Sequence, residues 1–366
     1  MKILIVQDYL RSGGTERQSV LLANAFAAAG HTVTLLTFRP GGRLAATVAA
    51  GVERCCLQPF DLGLDWFAPR LVARVRAAAP EVVLCMGRMA NCYAGRLQTA
   101  LPRTAVIATM RTGKRLPARF RASLHAVRHI VANSHDARDT LVREHTVPRE
   151  KISVIHNSLV FPPLPAGEAA PSPRLSLRGA HGAGPATTVL LCVAMFRPEK
   201  NQRELIEIVA GLPAAPDWQL WLAGDGPARA ACEQLVAQKQ LAARVKFLGF
   251  HRDPAPLYRA ADLAVHASWS EALSNFLIEA QAHGLPAVAY EAQGIAECFV
   301  PGRTGWTIPR DERAAFRAAL VQRIGEPPAE REARAAEARA YARTTFDPTR
   351  QVAAYLELFS HLLSLR

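Results

Sequence analysis

No stretch of about 20 uncharged apolar residues occurs in this 366-residue chain, so no transmembrane helix is expected. The opening Met1-Lys2-Ile3-Leu4-Ile5-Val6 meets Gln7-Asp8 too soon for a signal peptide and reads as a buried strand. Cysteine is sparse: the seven residues at 55, 56, 85, 92, 192, 232 and 298 are odd in number and none stands in C-x-x-C spacing. They read as reduced, mostly buried thiols of a cytosolic protein. There is no D-x-D pair for Mg²⁺ and no His/Cys cluster with zinc spacing. His125, His129, His135 and His145 are scattered at helix spacings and read as ordinary surface or core residues. No metal or cofactor is therefore expected. The dinucleotide fingerprint G-x-G-x-x-G is also missing.

Acidic charge is short in one half only. Residues 1–160 hold 22 Lys/Arg against 10 Asp/Glu, and residues 161–366 hold 22 against 21, so the first half carries nearly all of the formal +13. The densest run is Arg111-Thr112-Gly113-Lys114-Arg115-Leu116-Pro117-Ala118-Arg119-Phe120-Arg121. Cations interleaved with Leu116 and Phe120 suit an anionic membrane surface. The alternative is a solvated arginine-rich face. No aromatic stacking set accompanies the charge, so nucleic acid is not an expected partner.

Short apolar runs alternate with helical patterns throughout. Strands are expected at 2–7, 32–38, 52–57, 81–86, 104–109, 128–132 and 152–155, with helices near 15–29, 69–79, 89–100, 116–126 and 135–145. Residues 161–186, rich in proline and glycine, read as a linker. The alternation then resumes, with strands at 187–195, 218–223, 245–248, 262–267 and 286–289. Helices are expected at 201–211, 227–240, 254–260, 274–283, 311–324, 329–343 and 348–365. This predicts an α/β chain of two doubly wound, Rossmann-like domains facing across a cleft. The first is the basic domain 1–160 and the second is 187–347, with a terminal helix, 348–366, that is a candidate to pack back on the first domain. Ligands in such sheets bind beyond the carboxyl ends of the strands.

The loops at those ends carry the chemistry. Glu271 and Glu279 stand eight positions apart in Trp269-Ser270-Glu271-Ala272-Leu273-Ser274-Asn275-Phe276-Leu277-Ile278-Glu279, one just before an expected helix and one on its second turn. A helix start favours a phosphate, and carboxylates beside it accept hydrogen bonds from sugar hydroxyls. Gly13 and Gly14 follow the first strand and open a helix, which allows close backbone approach; tight strand–helix turns also use such pairs. Arg197 and Lys200 lie beyond strand 187–195 and suit a diphosphate, or else form surface ion pairs with Glu199 or Glu204. Gly224 and Gly226 frame a turn before Pro227, for which a structural role suffices. Glu297 either contacts a ligand or begins a helix.

Taken in order, these segments resemble glycosyltransferase family 4, the retaining transferases of GT-B fold. The resemblance runs through Gly13-Gly14-Thr15-Glu16, Val131-Ala132-Asn133-Ser134 and Ile155-His156-Asn157, then Arg197-Pro198-Glu199-Lys200, Gly224-Asp225-Gly226-Pro227 and Phe247-Leu248-Gly249-Phe250. It ends with the E-x7-E block and Gly305. It implies that Glu271 faces the donor sugar and Glu279 the ribose, with backbone amides of Leu273, Ser274, Asn275 and Phe276 meeting the sugar and diphosphate. It also implies that Gly14 approaches the diphosphate from the other domain. Three positions depart from the family pattern: Ala272 replaces the glycine after the first glutamate, Met195 occupies the slot of a phosphate-binding arginine, and Thr109-Met110-Arg111-Thr112 lacks a histidine. If Arg111 fills that last role, it would bind the acceptor or stabilise charge, since arginine cannot act as a base. The proton acceptor is left unassigned, which a front-face mechanism tolerates because the leaving phosphate takes the proton.

The implied activity is metal-independent, retaining transfer of a sugar from a UDP- or GDP-sugar to a hydroxyl. The acceptor would be a lipid-linked or envelope saccharide on the cytoplasmic side of a membrane. The rivals are a sugar-nucleotide epimerase of the same fold and a catalytically silent basic binding protein, against which the presence of both glutamates argues.

Overall fold

The computed structural model describes residues 1–161 and 173–365. Seven segments of the first half form parallel strands: β1 (Lys2–Gln7), β2 (Thr32–Thr37), β3 (Val52–Cys56), β4 (Val82–Cys85), β5 (Ala105–Met110), β6 (His129–Ala132) and β7 (Ile152–Val154). Their order in the sheet is β3-β2-β1-β4-β5-β6-β7. Parallel strands covered on both faces read as near-continuous hydrophobic runs, and β1 and β4 are such runs. Successive side chains alternate between faces. Leu4 and Val6 join the core under the helices Leu71–Ala78, Arg88–Ala100, Ala118–Ala126 and His135–His145. Ile3 and Ile5 join the opposite core, which includes Phe26 and, from the terminal helix Pro348–Ser364, Tyr355 and Phe359.

The second half repeats the plan with β8 (Thr188–Val193), β9 (Trp218–Ala223), β10 (Val245–Gly249), β11 (Leu263–His266), β12 (Ala287–Tyr290) and β13 (Gly305–Ile308). These strands run parallel in the order β10-β9-β8-β11-β12-β13. The chain thus forms two compact units, Met1–Ser158 joined by the helix Pro348–Ser364, and the described residues between Leu159 and Asp347. The strand order reverses between β1 and β4 in one unit and between β8 and β11 in the other. A reversal of this kind leaves a crevice at the carboxyl ends.

One strand and one α-helix were not expected from the sequence. β13 is a four-residue edge strand entered through the turn at Pro301 and Gly302, and a side chain at Gly305 would strike the Phe299 ring. The helix Pro173–Ala180 lies within the stretch read as linker; the rest of that stretch's proline-rich start lies outside the described residues. Arg178 explains the helix. It is only 1% exposed, and its guanidinium donates to the carbonyls of Ala260 (2.9 Å), Gly184 (3.0 Å) and Thr187, and to the Asp262 carboxylate (2.9 Å). Arg174 bonds the other Asp262 oxygen at 2.5 Å, while the Val189 N–H donates to that carboxylate at 2.8 Å. A buried carboxylate with several donors ties the helix to the starts of β8 and β11.

Candidate functional site

The crevice between β8 and β11 is assembled from loops that hold one another. After β8 the chain passes Met195 and the buried Phe196 into a single turn of tight helix, Pro198–Lys200. Two glycines brace this passage. Gly224 (φ +135°) and Gly226 (φ +148°) have conformations that L side chains rarely adopt, and a Cβ there would lie 2.0 Å from the Ala194 carbonyl and 2.5 Å from that of Phe196. The Phe196 N–H in turn donates to Asp225 O at 2.9 Å. The other side is fastened to the loop after β11, where the Glu199 carbonyl accepts from the Trp269 N–H at 3.1 Å and the Ser268 hydroxyl at 2.9 Å.

That clamp brings together residues 71 positions apart. Lys200 Nζ lies 2.5 Å from Glu271 Oε1, and His266 Nε2 lies 2.8 Å from the same oxygen. Glu271 is 9% exposed and His266 is fully enclosed. Burial alone would raise the Glu271 carboxyl, but the Lys200 cation and the His266 hydrogen bond outweigh it and bring the group down to about 2. Glu271 is therefore an ionised hydrogen-bond acceptor across the neutral range. His266 comes from the last position of β11, tilts against Phe276 at 5.5 Å, and keeps a buried Nδ1 with no protein partner.

Ser274 caps the helix Asn275–Ala282, its hydroxyl accepting from the Leu277 N–H at 3.5 Å. The positive end of this helix thus lies three residues from Glu271. Leu273 and Phe276 are buried beside it. Glu279, one turn on, accepts from the Tyr258 hydroxyl at 2.7 Å, and the Tyr258 ring stacks on His283 at 4.8 Å. Ala272 is buried, and the close approach falls to Gly294 (φ +70°), whose missing side chain makes room for the Ala272 carbonyl. Arg197 is exposed at the start of the Pro198–Lys200 turn. Glu204, weighed as its partner, instead binds Arg313 at 2.7 Å and Tyr290 at 3.0 Å.

At the corresponding strand-order reversal of the first unit, the helix start already has a protein partner. Asp8, at the end of β1, accepts from the N–H groups of Met89 (2.9 Å) and Ala90 (2.6 Å) at the start of the helix Arg88–Ala100. A Cβ on Gly87 would overlap the Asp8 carboxylate. Burial lifts Asp8 to about 7 in spite of those bonds. Gly13 caps the helix Gly14–Ala28 nearby, and a side chain at Gly13 would meet Glu16. Arg111 is engaged within the unit, donating to Asn157 Oδ1 (2.5 Å) and the Tyr355 hydroxyl (2.7 Å). In the basic run, Leu116 and Phe120 are buried in the core, so its outer face is cationic without apolar anchors.

With this geometry in place, similarity to known proteins is decisive. Residues 12–159 match the family profile described as Glycosyltransferase Family 4, and residues 187–326 match Glycosyl transferases group 1. The chain belongs to glycosyltransferase family 4. It is 30% identical over 138 residues to the lipopolysaccharide core biosynthesis glycosyltransferase LpsE of Rhizobium meliloti, covering 38% of this chain and 40% of that one. It is 32% identical over 208 residues to a D-inositol 3-phosphate glycosyltransferase of Rhodococcus opacus, covering 54% and 46%. The matched stretch is thus less than half the length of either relative. The crystal structure of Anabaena HepE with UDP-glucose aligns over 99% of this chain and 100% of that one, at 23% identity and a TM-score of 0.79. The fold is GT-B, two parallel α/β sheets of seven and six strands.

Within this family frame, the structure brings Lys200, Glu271, Leu273, Ser274, Asn275 and Phe276 to one crevice of the second unit, with Glu279 on the helix that borders it. Gly224 and Gly226 lie behind the Lys200 loop as its supports. Gly13, Gly14 and Arg111 belong to the first unit. His266 is the residue that sequence reasoning missed. Its signal was slight, a polar residue closing an otherwise apolar strand run.

Proposed function

We propose that this family 4 protein is a retaining, metal-independent glycosyltransferase that moves a sugar from a UDP- or GDP-sugar to a hydroxyl of a lipid-linked or envelope saccharide. The observation that carries the reading is the Lys200–Glu271–His266 cluster beside the capped start of the helix Asn275–Ala282. A cation and a helix start suit a diphosphate, and an ionised, enclosed carboxylate suits sugar hydroxyls. Glu279 would take the ribose. The second unit would bind the donor, because the equivalent helix start in the first is capped by Asp8. The basic first unit would receive the acceptor. Binding of UDP-glucose by HepE makes a uridine donor the first to try. The names of LpsE and the inositol-phosphate enzyme point to polyhydroxylated, anionic acceptors. A cytoplasmic-side, membrane-peripheral location goes with such acceptors.

A carboxyl held near 2 is too weak a base to deprotonate an alcohol. In the mechanism this implies, the bond from the anomeric carbon to the diphosphate oxygen breaks. The bond to the acceptor oxygen forms on the same face, and the acceptor proton passes to the departing phosphate oxygen. Lys200 offsets the charge that develops on the diphosphate, and Glu271 holds the sugar.

Transfer assays with Glu271→Gln and Lys200→Ala test the assignment. Each should lose transfer by roughly 100-fold or more with the fold intact, and unchanged transfer would overturn it. A true donor at 100 times its dissociation constant should stabilise the protein by about 2.7 kcal/mol. Isomerisation of the donor without any acceptor would replace transferase by epimerase.

A further inference from the structure

Between β3 and the helix Leu71–Ala78 the first unit exposes five large apolar side chains within eight positions: Phe60, Leu62, Leu64, Trp66 and Phe67. Phe60 is 64% exposed and Trp66 is 55% exposed, values unusual for a folded loop. The loop is nonetheless built. The fully buried Gln58 amide donates to the carbonyls of Leu64 and Phe67, both at 2.8 Å, and the Tyr93 hydroxyl donates to the Trp66 carbonyl at 2.6 Å. Its two acids are paired, Asp61 with Arg39 at 2.7 Å and Asp65 with Arg39 at 2.7 Å and Arg11 at 2.6 Å. The apolar side chains are thus held outward with no unpaired negative charge among them.

The surroundings are cationic. Residues 66–135 contain 12 Lys/Arg and one acid, Glu81, whose carboxylate accepts from the Lys2 N–H. The helices of this segment, Leu71–Ala78, Arg88–Ala100 and Ala118–Ala126, share one face of the sheet. Directly after the loop lies a cavity of about 300 Å³ lined by Arg70, Arg76, Arg96, Tyr93, Leu71 and Leu97. Among the described residues, neither Arg70 nor Arg96 has an ion-pair partner. Arg70, one of the lining residues, also holds a left-handed backbone (φ +53°), a strained state for a residue other than glycine.

We propose that this loop and cavity form a docking surface for an anionic lipid bilayer, with Phe60, Trp66 and Phe67 entering the interfacial zone and Arg70, Arg76 and Arg96 meeting lipid phosphates. Aromatic side chains favour that zone, and clustered cations favour anionic headgroups. A second copy of the chain is the poorer occupant, because it would set two cationic faces against each other. The run 111–121 supplies charge to the same face, but its apolar residues Leu116 and Phe120 point into the core. The inference rests on the membrane-peripheral part of the proposed function and not on its transfer chemistry.

Co-sedimentation with phosphatidylglycerol/phosphatidylcholine vesicles, against pure phosphatidylcholine, tests it without nucleotide or acceptor. The full chain should bind the anionic vesicles. Phe60→Ser/Trp66→Ser should lower the partition coefficient by about tenfold or more, and Arg70→Ala/Arg96→Ala by roughly tenfold or more, with unchanged circular dichroism. Brominated lipid should quench the parent's fluorescence, and Trp66→Phe should remove that quenching while binding persists. Equal binding by both double variants, undiminished quenching in Trp66→Phe, or a dimer that dissociates in Phe60→Ser/Trp66→Ser without any vesicle binding would each overturn the proposal. Intact vesicle binding with no sugar transfer would count against the transferase reading alone.

Discussion

Replacing Lys200 by methionine keeps the chain length and removes the charge beside Glu271. Burial pushes the Glu271 carboxyl up, and Lys200 with His266 brings it from 4.5 to about 2. A depression of that size is worth about 3 kcal/mol. The folded-state value lies below the unfolded one, so this stabilisation is fully present above pH 4.5 and disappears as pH falls from 4.5 toward 2. Without Lys200 the enclosed carboxylate keeps only the His266 bond. Losing one partner of a buried pair costs about 3–5 kcal/mol. Lys200 is about a quarter exposed, which places the expected loss at pH 7 nearer 2–3 kcal/mol. The gap to the parent should close as the solution is acidified below pH 4.5. Urea unfolding followed by tryptophan fluorescence suits the measurement, since Trp218, Trp221, Trp269 and Trp306 all lie in the second unit and only Trp66 lies in the first. Adding Glu271→Gln to the variant removes the stranded charge and should restore most of the loss. A Lys200→Met protein as stable as the parent at pH 7, a gap independent of pH, or strictly additive effects in the double variant would refute the reasoning.

Asp8 should show the opposite pH dependence. Its folded-state value is raised from 3.8 to about 7, so stability is greatest below pH 3.8 and declines up to pH 7, by on the order of 4 kcal/mol. Asp8→Asn does not ionise and should gain on the parent over that window; parallel urea-unfolding profiles from pH 4 to 7 would contradict this. Gly224→Ala places a Cβ 2.0 Å from the Ala194 carbonyl at φ +135° and should destabilise the second unit by roughly 2–4 kcal/mol, read as a lower melting temperature. Arg178→Met leaves Asp262 short of a buried donor and should cost about 3 kcal/mol or more in the same assay.

The strands were legible because both sheets are parallel and covered on both faces, so each core strand is an apolar run such as Ile3–Val6 or Val189–Cys192. β13 escaped because an edge strand of four residues that begins with glycine carries no such run. The helix Pro173–Ala180 escaped because it is eight residues long in a stretch rich in proline and glycine, and the contact that fastens it, Arg178 to Asp262, spans 84 positions. At the site, the spacing of Glu271 and Glu279 around a helix start was readable locally. Lys200 could be named from its place after a strand, but its contact with Glu271 depends on two loops meeting at a strand-order reversal. His266 was hidden because one polar residue at the end of a buried strand looks the same whether or not a carboxylate awaits it. Leu116 and Phe120 show the reverse error, in which alternation with cations looked like a surface pattern until their burial was seen.

The helix Pro348–Ser364 has a consequence for how the molecule is made. It packs Tyr355 and Phe359 around Phe26 at 6.1 and 5.6 Å, and Gln351 bonds Gln18 at 3.0 Å, all within the first unit. A ribosome delivers this helix only after the entire second unit has emerged. The unit begun first is therefore completed last, and the core around Phe26 lacks its terminal-helix side chains while the later unit folds. A lesion placed in that late helix should damage the earliest-synthesised core and leave the Lys200–Glu271 crevice standing.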